Sequence, residues 1–172
     1  MTDVSPSYRF GVLTLSDKGS RGERIDTSGP LLQEMLQGAG FTLVCYQVMA
    51  DEEELIIKTL RQWADEFALD LIITTGGTGV SPRDRTPEAT RKVIEREVPG
   101  LAEAMRLASL QLTPQAVWSR GVAGIYQHTL VINLPGSTKA AQENLLAILP
   151  ALSHGLEKIH GSDRDCAQLS GQ

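Results

Sequence analysis

Leu71-Ile72-Ile73-Thr74-Thr75-Gly76-Gly77-Thr78-Gly79, continued by Val80-Ser81-Pro82-Arg83-Asp84-Arg85-Thr86-Pro87-Glu88-Ala89-Thr90, is the stretch that decides the fold. Its opening residues are apolar and largely β-branched, the composition of a buried strand. Gly76, Gly77 and Gly79 follow; without Cβ atoms they can take positive φ and let a bound group approach the amides. Thr86 suits a helix N-cap and Pro87 the first helical turn. A strand, a glycine loop and a helix N-terminus in that order suit an anion, since amides and helix dipole act together. Asp84 stands beside it, able to hold the divalent cation that phosphates bring. A tight turn without a ligand is the plainer reading, but three glycines among Thr75, Thr78 and Asp84 favour the functional one. No Lys-Ser or Lys-Thr pair follows the last glycine and the dinucleotide fingerprint is absent, so this is another kind of phosphate loop.

Outward from that loop the chain alternates. Phe10 to Leu15 reads as a strand, Pro30 to Ala39 as a helix with Leu31, Leu32, Met35 and Leu36 at helical spacing, and Phe41 to Val48 as a strand. Asp51 begins a helix with Ile56, Leu60, Trp63 and Phe67 on one face, Asp70 to Thr75 is the third strand, and Pro87 to Glu97 reads as a helix. Leu101 to Leu112 is a further helix closed by Pro114. Ala116 to Tyr126 and Thr129 to Leu134 read as strands joined around Gln127 and His128, and Ser137 opens a helix with Ala141, Leu145, Ile148 and Leu152 in line. Strands alternating with helices of this length predict βαβ crossovers, a mainly parallel sheet and helices on both faces.

The 172 residues fit one domain. Residues 9–160 form it, with a flexible N-terminus over 1–8 and a polar, mobile tail over 161–172. Hydrophobic and charged contents of 41% and 22% are ordinary for a globular protein. A net charge of -5 argues against a nucleic-acid or membrane-surface binder, and no stretch has signal-peptide or membrane-spanning character. The expected location is the cytoplasm. An anionic substrate therefore needs a local site, for which Arg83, Arg85, Arg120 and Lys139 are candidates. Cys45 reads as a core residue and Cys166 as an exposed thiol, with neither a disulfide nor a metal site expected. His128, His154 and His160 are scattered and suit surface or cap roles.

Ligands of open parallel sheets bind beyond the carboxyl ends of the strands, and four polar clusters fall there. Ser16-Asp17-Lys18-Gly19 through Asp26-Thr27-Ser28-Gly29-Pro30 reads equally as a capped loop or as part of a site. Asp51, with Glu52, Glu53 and Glu54, has helix capping as its default explanation. The glycine loop with Asp84 is the third. Asn133-Leu134-Pro135-Gly136-Ser137-Thr138-Lys139 is a second strand, turn and helix start, hence a second anion site. Two such turns with carboxylates between them suggest chemistry on a nucleoside triphosphate with a metal ion.

These residues, together with Pro99-Gly100-Leu101-Ala102-Glu103 and Ser119-Arg120-Gly121, resemble the MogA/MoaB family of molybdenum cofactor biosynthesis, from about Phe10 to His160. The resemblance implies a three-layer α/β/α sandwich, MogA-like, and a molybdopterin adenylyltransferase activity: AMP passes from Mg-ATP to the terminal phosphate of molybdopterin and pyrophosphate leaves. It implies that Asp26, Asp51 and Asp84 are the essential acidic residues, with Asp51 and Asp84 serving Mg2+, and that Ser119 supports the transfer. It assigns the nucleotide and its phosphates to Thr75, Gly76, Gly77, Thr78 and Gly79 and to Asn133, Pro135, Gly136 and Ser137, and places Ser16 and Asp17 at the pterin side. Trimers or hexamers are expected from the same likeness, as is hand-over to a molybdate-inserting enzyme. Trp118 departs from the pattern, standing where a smaller aliphatic residue is expected. The competing reading is a non-catalytic pterin- or nucleotide-binding module that delivers molybdopterin to a partner.

Overall fold

Alternation along the central strands divides the core into two layers. Phe10, Val12, Leu71, Ile73, Leu130 and Ile132 point to one side of the sheet, and Leu13, Leu15, Ile72 and Val131 to the other. The computed structural model describes residues 7–162. Its elements run β1 (Arg9–Leu15), α1 (Asp17–Ser20), α2 (Ser28–Gly38), β2 (Thr42–Met49), α3 (Glu53–Asp65), β3 (Leu71–Thr75), α4 (Thr86–Arg91), β4 (Arg96–Glu97), α5 (Pro99–Leu110), a 3-10 turn (Pro114–Trp118), β5 (Ala123–Tyr126), β6 (Thr129–Leu134) and α6 (Thr138–Ile159). The strand order is β2-β1-β3-β6-β5-β4. The first four strands in that order are parallel, and β5 runs antiparallel to both of its neighbours.

Helices α2, α5 and α6 cover the first face through Leu32, Leu36, Met105, Leu145, Ile148 and Leu152, while α3 and α4 cover the second through Ile56, Leu60, Trp63 and Ala89. This is the expected three-layer α/β/α sandwich. Of the helical stripes read from the sequence, Leu32, Leu36, Ile56, Leu60, Trp63, Ala141, Leu145, Ile148 and Leu152 are buried, whereas Leu31, Met35 and Phe67 are half-buried and Phe67 lies beyond the end of α3. Truncating Leu60, which is fully buried, would cost about 2–5 kcal/mol. Cys45 lies half-buried on β2, where burial pushes its thiol up to about 11. No helix among the described residues is long and apolar enough to cross a membrane.

Two segments depart from the sequence reading. The helix expected over Pro87 to Glu97 stops at Arg91, because the next residues pair with β5: the Glu95 N–H donates to Ile125 O at 2.8 Å and the Val98 N–H to Ala123 O at 2.8 Å. The strand expected over Ala116 to Tyr126 begins only at Ala123. Its first residues form the 3-10 turn, capped by Thr113, whose hydroxyl accepts from the Gln115 N–H. At the chain ends, Tyr8 O accepts from the Thr42 N–H at 2.8 Å, its ring lies 6.0 Å from Phe41, and the Gly161 N–H donates to Lys158 O. Residues 1–6 of the N-terminal segment and 163–172 of the tail, with Cys166, lie outside the described residues.

Parallel register brings the functional loops together. Leu15 pairs with Met49, Thr14 with Thr75, and Thr75 with Leu134, so β2, β1, β3 and β6 end at one level. The Ser16 N–H donates to Met49 O at 2.9 Å and the Gly76 N–H to Leu134 O at 3.1 Å, knitting the four exits into one rim.

Candidate active site

Asp51 leaves β2 two residues before α3, which begins at Glu53 with Glu52 as its N-cap, so Asp51 is free of the capping duty expected of it. One of its oxygens, Oδ2, accepts from the Asp17 N–H, and its own N–H donates to Asp17 Oδ1. Its other oxygen, Oδ1, is buried without a hydrogen-bond partner. Burial, then the charges of Asp17 and Asp84, push the Asp51 carboxyl above the usual range. Asp17 goes the other way, because Arg83 Nε and Nη2 donate to it at 3.0 and 2.9 Å and hold its carboxyl down. Arg83 also reaches Glu52 at 2.8 Å. This arginine therefore binds carboxylates here and is not an idle anion ligand.

The glycine loop is shaped by the protein's own atoms as well as by the space above it. Gly76 and Gly77 have φ of 102° and 65°, a region that other residues enter at a cost. A Cβ on Gly76 would strike Leu15 O, and one on Gly77 would strike Thr86 Oγ1 and lie 2.7 Å from Asp51 Oδ1. Thr86 does not cap α4 with its side chain; it is fully buried and its hydroxyl donates to Gly76 O at 2.9 Å, latching the loop. The N-cap is Arg85. Among the described residues, the amides of Gly77, Thr78, Gly79, Gly136 and Ser137 have no protein acceptor. They remain available to an anion.

Asp84 Oδ2 accepts from the Ser81 N–H at 2.8 Å, closing the turn after the glycines. Arg120 clamps this turn from outside: its Nε donates to Gly79 O at 2.6 Å, Nη2 to Asp84 O at 2.8 Å and Nη1 to Glu88 Oε1. Arg120 is thereby committed to the loop. Of the remaining basic candidates, Arg85 lies 3.9 Å from Glu53, and Lys139 is 85% exposed and 3.8 Å from Glu143.

Asp26 is fully engaged. Its Oδ1 accepts from the Ser28 N–H, the Ser28 hydroxyl and the Gly29 N–H at the start of α2, and its Oδ2 accepts from Thr14 Oγ1 and Tyr46 Oη, each at 2.6 Å. Burial would raise its pKa, but the donors outweigh burial and hold the carboxyl below the usual range. Asn133 is buried too: its amide donates to Thr74 and Thr90 hydroxyls and its Oδ1 accepts from the Val122 N–H. It braces β3, α4 and the approach to β5, and lines neither cavity described next. Thr75 is buried with its hydroxyl on Pro135 O. Ser16 caps α1, accepting from the Gly19 N–H.

Two cavities meet over the loop. The first, about 770 Å³, takes in Ser16, Asp17, Asp26, Asp51, Thr75, Gly76 and Ser137. The second, about 420 Å³, takes in Thr78, Gly79, Ser119 and Pro135. Gly77, Asp84 and Gly136 belong to both. The three aspartates thus share one cavity, Ser119 belongs to the other, and Asp84 stands at the junction. Thr14 and Tyr46, which hold Asp26, escape sequence reasoning, and Trp118, noted there only as a departure from the family pattern, lines the second cavity. Thr14 is hidden in an apolar run, and Tyr46 reads as one more residue of a strand.

A magnesium ion fits these residues. Asp51 Oδ1 is a buried anionic oxygen without a partner, and burial first, then the neighbouring charges of Asp17 and Asp84, raise the Asp51 pKa, an effect that a bound cation would offset. Mg2+ is commonly bound by one or two carboxylates plus phosphates and water rather than by a protein cage, and Asp51 with Asp84 offers two.

Fold and cleft define an α/β protein of the open-sheet class with a polar site at the strand ends. More narrowly, the chain belongs to the family described as "Probable molybdopterin binding domain", whose profile matches residues 11–154. It is 44% identical over 158 residues to a molybdopterin adenylyltransferase of Helicobacter pylori, covering 91% of this chain and 90% of that one. A molybdopterin adenylyltransferase of Escherichia coli K12 is 39% identical over 157 residues, covering 90% and 80%. Among solved structures, the molybdopterin biosynthesis enzyme MoaB of Thermus thermophilus is 55% identical and superposes with a TM-score of 0.86 over 90% of this chain and 98% of that one.

Proposed function

We infer that this chain is a molybdopterin adenylyltransferase in molybdenum cofactor biosynthesis, transferring AMP from Mg-ATP to the terminal phosphate of molybdopterin with release of pyrophosphate. The observation that carries the reading is the likeness, across nine-tenths of both chains, to an enzyme of that name. The site supports it chemically. The pterin phosphate attacks the α-phosphorus in line, so the protein's task is positioning and charge neutralisation rather than covalent catalysis.

The free amides of Gly77, Thr78 and Gly79, with those of Gly136 and Ser137, receive phosphate oxygens where the cavities meet. Asp51 and Asp84 hold Mg2+, which when bound supplies the positive charge that offsets repulsion between the reacting phosphates. Asp17, kept ionised by Arg83, and Ser16 border the pterin side. Asp26 keeps the first loop and α2 in register with β1, and Ser119 faces the transferred group from the second cavity. A delivery module without catalysis is the weaker reading, since a pure binder gains nothing from collecting carboxylates beside bound phosphates.

The working form is a homotrimer, or a hexamer, in the cytoplasm, and adenylylated molybdopterin passes to a molybdate-inserting enzyme. Incubating the purified chain with molybdopterin and Mg-ATP tests the activity. Pyrophosphate should appear in step with adenylylated pterin, whereas binding of both reactants without pyrophosphate would establish the module. Sedimentation gives the assembly.

A further inference from the structure

We propose that Trp118 is the stacking surface for the flat nitrogen heterocycle of one of the two reactants, held in the second cavity with its phosphates on the glycine loop. The proposal rests on the adenylyltransferase reading, in which both reactants, ATP and molybdopterin, carry such a ring.

Trp118 is 63% exposed, whereas Trp63, the other tryptophan, is 3% exposed and lies in the core. Leaving so much indole in water forgoes a large hydrophobic gain, and among the described residues Trp118 enters no ring pair. Its backbone is nonetheless held firmly. The 3-10 turn that ends at Trp118 is capped by Thr113, and the Ser119 N–H donates to Ala116 O at 3.1 Å. The Arg120 N–H donates to Thr78 O at 2.9 Å, and the Arg120 side chain grips Gly79 O and Asp84 O. The residues directly after Trp118 are thus fastened to the phosphate loop, which fixes the indole's backbone relative to it.

The cavity beside the indole, about 420 Å³, falls within the size of small-molecule sites. Gln115 and Glu143 also line it, offering an amide donor and carboxylate acceptors to a ring edge. The first cavity has no aromatic residue in its wall. Of the two cavities that share Gly77, Asp84 and Gly136, only the second presents a face on which a heterocycle can stack.

The test uses the full chain and two variants, Trp118→Phe, which keeps an aromatic face, and Trp118→Leu, which keeps apolar bulk and loses the ring. KM and kcat for each reactant, Kd for ATP and for molybdopterin by calorimetry, and sedimentation mass are compared with wild type. Trp118→Leu should raise KM and Kd for one reactant roughly tenfold or more, with kcat little changed and mass unchanged, while Trp118→Phe stays close to wild type. A rise for ATP assigns the ring as adenine, and a rise for molybdopterin assigns it as the pterin. Unchanged constants for both reactants in Trp118→Leu overturn the proposal. So does a loss of assembly in which both constants shift together, which would make Trp118, with the exposed Val117 and Leu112, a contact between copies. If the wild type binds both reactants but releases no pyrophosphate, the adenylyltransferase reading fails, and the two Kd comparisons still decide the role of Trp118.

Discussion

Asp17 and Asp51 hold each other's main chain: the Asp17 N–H donates to Asp51 Oδ2 at 3.2 Å, and the Asp51 N–H donates to Asp17 Oδ1 at 3.1 Å. This exchange ties the loop after β1 to the loop after β2 and fixes the direction of both carboxylates. It uses one oxygen of Asp51 and leaves Oδ1 buried and unmatched beside Gly77. An unsatisfied buried anion costs stability, and its retention here points to a ligand-bearing state.

Asp51→Asn keeps an oxygen for the Asp17 N–H and removes the charge. Pyrophosphate release should fall by about two orders of magnitude or more, because the lost interaction acts mainly as charge rearranges at phosphorus. Thermal stability should hold or rise, since a desolvated charge has gone. Turnover near wild type would remove Asp51 from the chemistry.

Asp84→Asn separates catalysis from turn closure. The amide oxygen can still accept from the Ser81 N–H, so the turn survives, while turnover drops by orders of magnitude and molybdopterin binding is kept or tightened. A purely structural Asp84 would instead show normal turnover and a stability change of about 1 kcal/mol or less. Pyrophosphate release and pterin calorimetry on the one variant distinguish these outcomes.

Arg120→Lys replaces a planar fork that reaches Gly79 O, Asp84 O and Glu88 by a single ammonium that cannot span all three. We expect a loss of about 1–3 kcal/mol in urea unfolding and a higher KM for ATP, as the turn carrying Asp84 loosens. An unchanged unfolding midpoint and KM would show that the turn closes without the clamp.

Asp26→Asn should reveal a pH-dependent part of stability. The folded carboxyl titrates below its unfolded value, so the ionised group's contribution is complete above about pH 4 and is lost as pH falls through the folded pKa. At neutral pH the variant should be about 1–2 kcal/mol less stable than wild type, through weaker bonds from Thr14 and Tyr46. That gap should narrow in acid. A gap that is the same at pH 7 and pH 3 would mean that the carboxylate charge contributes nothing.

The sequence by itself determined the layered α/β architecture, because strand and helix periods are local: Ile72 and Ile73 announce a strand, and Ile56, Leu60 and Trp63 a helix face. It also determined which loops carry polar and glycine residues, since Gly76 and Gly77 mark a backbone with positive φ. Only the tertiary structure decided that residues 95–98 leave the helical path to pair with β5, because that pairing is made with a segment distant in sequence. It alone decided how the polar residues divide their work. Asn133 and Thr86 lie in the same motifs as the rim residues, but they point inward and brace the turns, while Arg83 and Arg120 bind the protein's own carboxylates and carbonyls. Such assignments depend on the register of four strand ends brought to one level, and no local pattern encodes which partner stands across that rim.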